Sequence, residues 1–322
     1  MNDSLMKKNI YRIENFVKSQ GLLFVLVVLF VGASLRYDVF RTVSNFTNIL
    51  NQSSLIGILA IGMTFVILTE GIDLSVGSVT ALSGVVAANL SHSIFLSIFI
   101  SMLTGLILGL INGFVVAKSK IEPFIATLAM MMAARGLAFI ATGNVSIRVQ
   151  KLQPAFRALS RGYVLGVIPT SVIIFLIIFL IALLISKNTS FGRSVYAVGG
   201  NENASIMMGI KVDRVKIFVY AISGLLAGLV GALLASRLGT GQPEAAEGWE
   251  LTAIAVTVIG GTKLSGGEGK FTGTLMGVLI IGIITNIMNL QGNLNSWWQN
   301  IIRGLILLVV IITQSRGKKR RK

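Results

Sequence analysis

The chain contains no cysteine and a single histidine, His92. Disulfides, iron–sulfur clusters and cysteine nucleophiles are excluded, and a zinc centre has almost nothing to draw on. Charge is scarce as well: Asp, Glu, Lys and Arg make up 12% of the residues, against roughly 25% in ordinary soluble domains. There is no His-Glu-x-x-His pair, no phosphate-binding loop ending in Lys-Ser or Lys-Thr, and no histidine placed to serve a serine. The glycine-rich stretch 260–269 lacks that ending too. The chain therefore reads as a non-enzyme with no cofactor of its own.

What fills the space is apolar. Hydrophobic residues account for 54% of the 322 positions, and the mean hydropathy is +0.83. They come in runs without Asp, Glu, Lys or Arg, at 19–35, 42–69, 74–117, 162–186, 217–236 and 271–302. A helix needs about 20 such residues to cross a hydrocarbon core of roughly 30 Å, so the run 74–117 holds two crossings that turn near Ser91-His92-Ser93. The runs are continuous rather than alternating, which selects helices over the strands of an outer-membrane barrel. The expected fold is all-α: a multi-pass membrane protein of about ten helices once short or broken spans near 123–142, 251–261 and 304–313 are counted.

Basic residues set the orientation. The formal charge is +16, but Lys7, Lys8, Arg12 and Lys18 precede the first run, and Arg316, Lys318, Lys319, Arg320, Arg321 and Lys322 close the chain. Such placement follows the positive-inside rule and gives no reason to invoke nucleic acid. The N-terminal run ends at Arg36 without a small-residue cleavage pattern, so it reads as a retained first span. Both termini are expected in the cytoplasm, with 1–18 as an N-terminal segment, 19–315 as the membrane domain and 316–322 as a basic tail. On this scheme 187–216 is the longest cytoplasmic loop, and 237–250, with Glu244, Glu247 and Glu250, faces outward. Arg148, Lys151, Arg157 and Arg161 fall on an outer loop, against the rule.

The sharpest local feature is Glu70-Gly71-Ile72-Asp73-Leu74-Ser75-Val76-Gly77. Ionisable groups at membrane depth are costly unless they meet a cavity or a partner. Glycines at both ends let the backbone leave helical geometry, freeing polar groups that need partners. Two readings stay open: a broken helix lining a polar path, or a turn in which Asp73 caps the next helix. The pattern Gly-x-x-Leu-Ser-x-Gly returns at Gly261-Thr262-Lys263-Leu264-Ser265-Gly266-Gly267, as expected of related halves with interrupted helices. Asp73 and Lys263, one charge in each copy, are placed to pair across the halves. Candidate pathway residues are Glu70, Asp73, Ser75, Gln52, Asn112, Lys263 and Ser265. The amides of Asn48, Gln52 and Asn112 suit helix-to-helix bonds at least as well as contacts to a polar solute. Arg135 and Arg303 are expected to snorkel, and Trp297 and Trp298 to anchor at the interface.

Within the cytoplasmic loop, 201–208 reads as a short helix capped by Asn201, with Ala204, Met207 and Met208 on one face and Gly209 as its stop. An exposed apolar face there is covered either by the groove of a soluble partner or by the membrane surface.

Three segments together resemble a known family: Glu70 to Gly77 with its continuation to Gly84, Phe191 to Gly209 with its string Gly192-Arg193-Ser194-Val195-Tyr196-Ala197-Val198-Gly199-Gly200-Asn201-Glu202-Asn203-Ala204, and Gly260-Gly261-Thr262 through Gly273. In order and spacing, over about 45–313, they are similar to the permeases of bacterial ATP-binding-cassette importers for ribose and related sugars. That branch includes permeases for xylose, galactofuranose and autoinducer-2, and the ribose members resemble this chain most. The resemblance implies a ten-helix subunit paired with a second permease copy, identical or related, in the lipid of the bacterial cytoplasmic membrane. It also implies an extracytoplasmic sugar-binding protein above, and below it an ATPase with duplicated nucleotide-binding domains that holds ATP and Mg. Transport would proceed by alternating access. By the same resemblance the segment 191–209 couples to the ATPase, with Gly192, Arg193, Glu202, Asn203 and Gly209 at matching positions and Met207 on the docking face. At Ser205-Ile206-Met207-Met208 the chain departs from the arginine or threonine common in the family. The alternative to this reading is an ion-coupled secondary transporter, which also uses broken helices and intramembrane carboxylates.

Overall fold

The computed structural model describes residues 21–149 and 154–292, with 298, 301–302, 304–306, 308–309 and 312 beyond them. The segment 1–18, the tail 316–322, part of the span expected at 304–313, and Lys151, Trp297 and Arg303 lie outside the described residues.

The chain is helical from the start of this range. Helix α1 (Gly21–Arg36) leads through a 3-10 turn at Asp38–Arg41 into α2 (Val43–Leu68). A break follows, then α3 (Val76–Asn89), α4 (Ile94–Lys118) and α5 (Pro123–Thr142). The turn between α3 and α4 falls at Ser91-His92-Ser93, where the Ser93 side chain accepts a bond from Leu96 N. Proline opens α5 and Gly143, left-handed at φ 58°, closes it, the usual asymmetry of helix ends. Expected as short or broken, α5 is instead one unbroken helix.

After α5 come strand β1 (Ile147–Arg148), α6 (Pro154–Arg161), and the hairpin of β2 (Tyr163–Val164) with β3 (Ile168–Pro169). Then follow α7 (Thr170–Asn188), α8 (Ser190–Gly200), α9 (Glu202–Met207) and α10 (Val212–Leu238). Strand β4 (Thr240–Gly241) pairs antiparallel with β1 and leads to α11 (Trp249–Ile259) and, after a second break, α12 (Phe271–Leu290). Among the described residues six helices are long and apolar enough to cross a membrane, namely α2, α4, α5, α7, α10 and α12. Helices α1, α3 and α11 are shorter apolar helices.

The core gathers on α2 and α10, the most buried of the six, while α4, α5 and α7 turn apolar flanks such as Phe95, Phe99, Ile125 and Leu180 outward. Helices α4 and α10 meet backbone to backbone. A side chain added at Gly105 would strike Gly224 O, and one at Gly113 would strike the Ile217 backbone. In lipid, where apolar side chains gain little by leaving their surroundings, such close packing of small residues is what holds helices together.

Both copies of the repeated glycine motif sit at helix interruptions, one between α2 and α3 and the other between α11 and α12. The segment before α11 departs from the expected outward loop. Gly241 lies against Gly84, Val85 and Ala88 of α3, whereas Ala246 O and the Glu250 carboxylate lie against Gly77 at its start. The stretch 241–250 therefore runs down the side of α3 instead of staying at one end of the bundle.

Candidate functional site

The first break is built around a buried carboxylate. Asp73 is 1% exposed. One of its oxygens accepts from Ser75 N at 3.0 Å and Ser75 Oγ at 2.6 Å, and the other from Ser223 Oγ of α10 at 2.8 Å. Asn112 of α4 donates to Ser75 Oγ at 2.9 Å, and Thr127 of α5 accepts from Leu74 N at 3.1 Å. Three neighbouring helices thus satisfy the polar groups freed when the helix stops, which is the condition for irregular backbone inside a membrane. Ser223 lies near the middle of α10, so this cluster lies midway along the bundle.

Of the candidate pathway residues, the structure brings Asp73, Ser75 and Asn112 together and disperses the others. Glu70, left-handed at φ 62°, stands on an open vestibule of about 970 Å³ that Lys118, Lys120, Glu202, Lys216 and Tyr220 also line. The Tyr220 hydroxyl reaches Ile72 O at 3.5 Å on its floor. Gln52 borders a separate small cavity of about 40 Å³ between α2, α11 and α12, beside Trp249 and Asn286. Lys263 pairs with Glu268 within the second break, and Ser265 is exposed. The expected pairing of Asp73 with Lys263 is not made. Serines of α3 and α10 already take up the carboxylate, and a local glutamate neutralises the lysine.

The two breaks nevertheless touch, and the cytoplasmic loop touches both. Gly267 N donates to Leu68 O at 3.0 Å. Gly199, at the end of α8, is wedged against this bond: a side chain there would overlap Leu68 O and lie 2.6 Å from Gly267 N. Nearby, the Tyr196 hydroxyl bonds Gly269 O at 3.2 Å, and Phe65 of α2 packs on Phe191 of α8 and Phe271 of α12. One short helix is thereby keyed into both interruptions. Tyr196, Gly199 and Gly267 were not candidates on sequence grounds; the Gly199-Gly200 pair was the one available signal.

Thr189 caps α8 by accepting from Gly192 N at 3.0 Å. Gly192 lets α8 close onto the end of α7, where a side chain would strike Ile185 O. Asn201 caps α9 by accepting from Ala204 N at 2.9 Å. Gly209, at φ 80°, ends it, with Ile210 N bonded to Ser205 O. Glu202 is held by Lys216 of α10 at 2.6 Å, and Arg193 and Asn203 are exposed. Ser205 turns inward, leaving Ile206, Met207 and Met208 at 56%, 89% and 67% exposure. The apolar face expected at Ala204, Met207 and Met208 is thus present, with Ile206 in place of the half-buried Ala204.

Arg135 does not snorkel. Its guanidinium donates to Pro243 O at 2.6 Å and Ala245 O at 2.8 Å, tying α5 to the stretch that descends along α3. Among the described residues no three His, Asp or Glu side chains gather as metal ligands do.

The sequence matches the family described as the branched-chain amino acid transport system permease component over residues 45–311. It is 43% identical over 310 residues to the ribose import permease protein RbsC of Haemophilus influenzae, covering 95% of each chain. To the Bacillus subtilis protein of that name it is 46% identical over 293 residues, 90% of this chain and 89% of the relative. Against the L-arabinose transport system permease protein AraH of Escherichia coli the identity is 38% over 305 residues, covering 94% and 92%. No solved structure matches it.

Proposed function

The chain belongs to the permease family of branched-chain amino acid transport systems, and on that premise we propose that it carries ribose, or a closely related monosaccharide, into a bacterial cell. It is the permease subunit of an ATP-driven importer whose ATP is hydrolysed by a separate subunit. The relatives at 43% and 46% identity are ribose permeases along nearly their whole length, and this supports ribose ahead of arabinose, xylose, galactofuranose or autoinducer-2. An ATPase subunit and a substrate-binding protein complete the importer. In our reading the ATPase carries two nucleotide-binding domains with ATP and Mg, and a second permease copy stands beside this one. Both termini face the cytoplasm, so 187–216 faces the ATPase.

The observation that carries the coupling role is the contact of α8 with both helix breaks through Leu68, Gly199 and Gly267. Helix α9 presents Ile206, Met207 and Met208 to the ATPase, and Gly192, Arg193, Glu202, Asn203 and Gly209 set its geometry and rim. A displacement of α9 travels along α8 to the interruptions in α2/α3 and α11/α12, whose rearrangement exchanges outward and inward access. Glu70, Lys263 and Ser265 lie at the mouth of that movement, Gln52 on its flank, and Asp73, Ser75 and Asn112 at its pivot.

An ion-coupled transporter would need a carboxylate free to titrate or bind a cation. At the first break Asp73 is engaged by serines and is not free in that way. Reconstitution decides between the two: uptake of labelled ribose should require the ATPase and ATP, and uptake driven by an ion gradient without the ATPase would reject the importer reading.

A further inference from the structure

Helix α11 has 11 residues, and at about 1.5 Å per residue it rises only about 16 Å from the second break. That is near half of a hydrocarbon core of roughly 30 Å, so its first turn, with Glu250, lies at mid-depth. Two contacts agree. Glu250 lies against Gly77 in the first turn of α3, a helix that itself begins at the mid-bundle Asp73 cluster. Arg135, in the second half of α5, reaches across to Pro243 O and Ala245 O.

The stretch 242–248 is irregular backbone at this depth, and Glu244 and Glu247 on it are exposed. Irregular backbone occurs within a membrane only where protein buries it or water reaches it. Exposed carboxylates exclude contact with lipid tails. Water or the second permease copy, not lipid, therefore meets this face.

We infer that Glu244 and Glu247, on a loop pinned by Arg135, line the aqueous path of the solute and hydrogen-bond the hydroxyls of a neutral sugar at mid-membrane. Carboxylates are acceptors suited to hydroxyl donors, and two against one guanidinium leave the lining acidic, which favours a neutral polyol over a sugar phosphate. The cargo named here rests on the proposed function; the path itself rests on depth and exposure alone.

Because the chain has no cysteine, single substitutions read the path directly. In the assembled importer in membrane vesicles, Glu244→Cys and Glu247→Cys should react with a membrane-impermeant thiosulfonate. Phe99→Cys, on the outer apolar flank of α4, should not. Modification at the first two positions should block solute uptake. Glu247→Gln, which keeps the side-chain shape, should lower ribose uptake about tenfold at unchanged protein level, the worth of one or two hydrogen bonds. Unreactive thiols at 244 and 247 in a transporting complex would overturn the inference, and so would wild-type uptake by Glu247→Gln combined with Glu244→Gln. Labelling needs no sugar: a complex that labels at both positions yet imports no ribose supports the path and rejects the choice of cargo.

Discussion

At the scale of single residues, the first break depends on groups that are individually ordinary and jointly constrained. Asp73 accepts three hydrogen bonds and, among the described residues, pairs with no cation, so its removal strands Ser75 and Ser223 in the interior. Asp73→Ala should cost about 2–3 kcal/mol of stability, seen as a lowered unfolding midpoint of the purified protein in detergent. Ser223→Ala, which removes one of the three donors, should cost about 1 kcal/mol. Equal midpoints for wild type and Asp73→Ala would mean that the carboxylate is not a structural pivot. The sequence marked Asp73, Ser75 and Asn112, because a carboxylate among glycines between apolar runs needs partners. It could not name Ser223 or Thr127, since a hydroxyl inside an apolar helix looks the same whether or not it faces a carboxylate. The misplaced pairing of Asp73 with Lys263 has the same origin: opposite charges in related motifs invite pairing, but Glu268 lies five residues from Lys263 and meets it locally.

At the scale of elements, two short helices govern the proposed coupling. Met207 is 89% exposed and supports nothing inside the subunit, so Met207→Asp should leave stability within about 0.5 kcal/mol of wild type. It should still weaken capture of the ATPase about tenfold or more, as measured by co-purification or surface-immobilised binding. Gly199→Ala acts at the other end of the segment, where its methyl meets Leu68 O and Gly267 N. We expect the ATPase to remain bound and active while ribose uptake falls at least tenfold, the cost of misaligning a packed joint. Retained transport in Gly199→Ala would show that the joint is not the route of coupling. Helix α9 was legible because Asn201, the apolar face and Gly209 form a capped unit in sequence. The stretch 242–248 was not, since glutamates near glycines describe a surface loop equally well; its descent is set by Gly77, Gly84 and Gly241, which let backbone approach across elements far apart in the chain. Similarly, the break expected in 123–142 does not occur, because Pro123 begins α5 instead of interrupting it.

At the scale of the whole molecule, long uncharged runs were enough to establish a helical membrane protein, and the two glycine motifs located its interruptions. The short span expected near 251–261 is α11; what the runs could not convey is that α3 is short as well, beginning like α11 beside the stretch that ends in Glu250. Hydropathy measures what a segment can cross, while neighbouring backbone decides where it stops. The protein is therefore a permease whose interior is organised by two broken helices, with α8 keyed into both breaks. In the proposed function, ATP hydrolysis by a partner drives a sugar through this chain. The most direct test is uptake of labelled ribose into proteoliposomes containing this chain, its ATPase and its binding protein. Uptake that needs all three components and ATP, and that Gly199→Ala lowers at least tenfold, is the predicted result; uptake that persists without the ATPase, or a complete complex that hydrolyses ATP and imports no ribose, would contradict it.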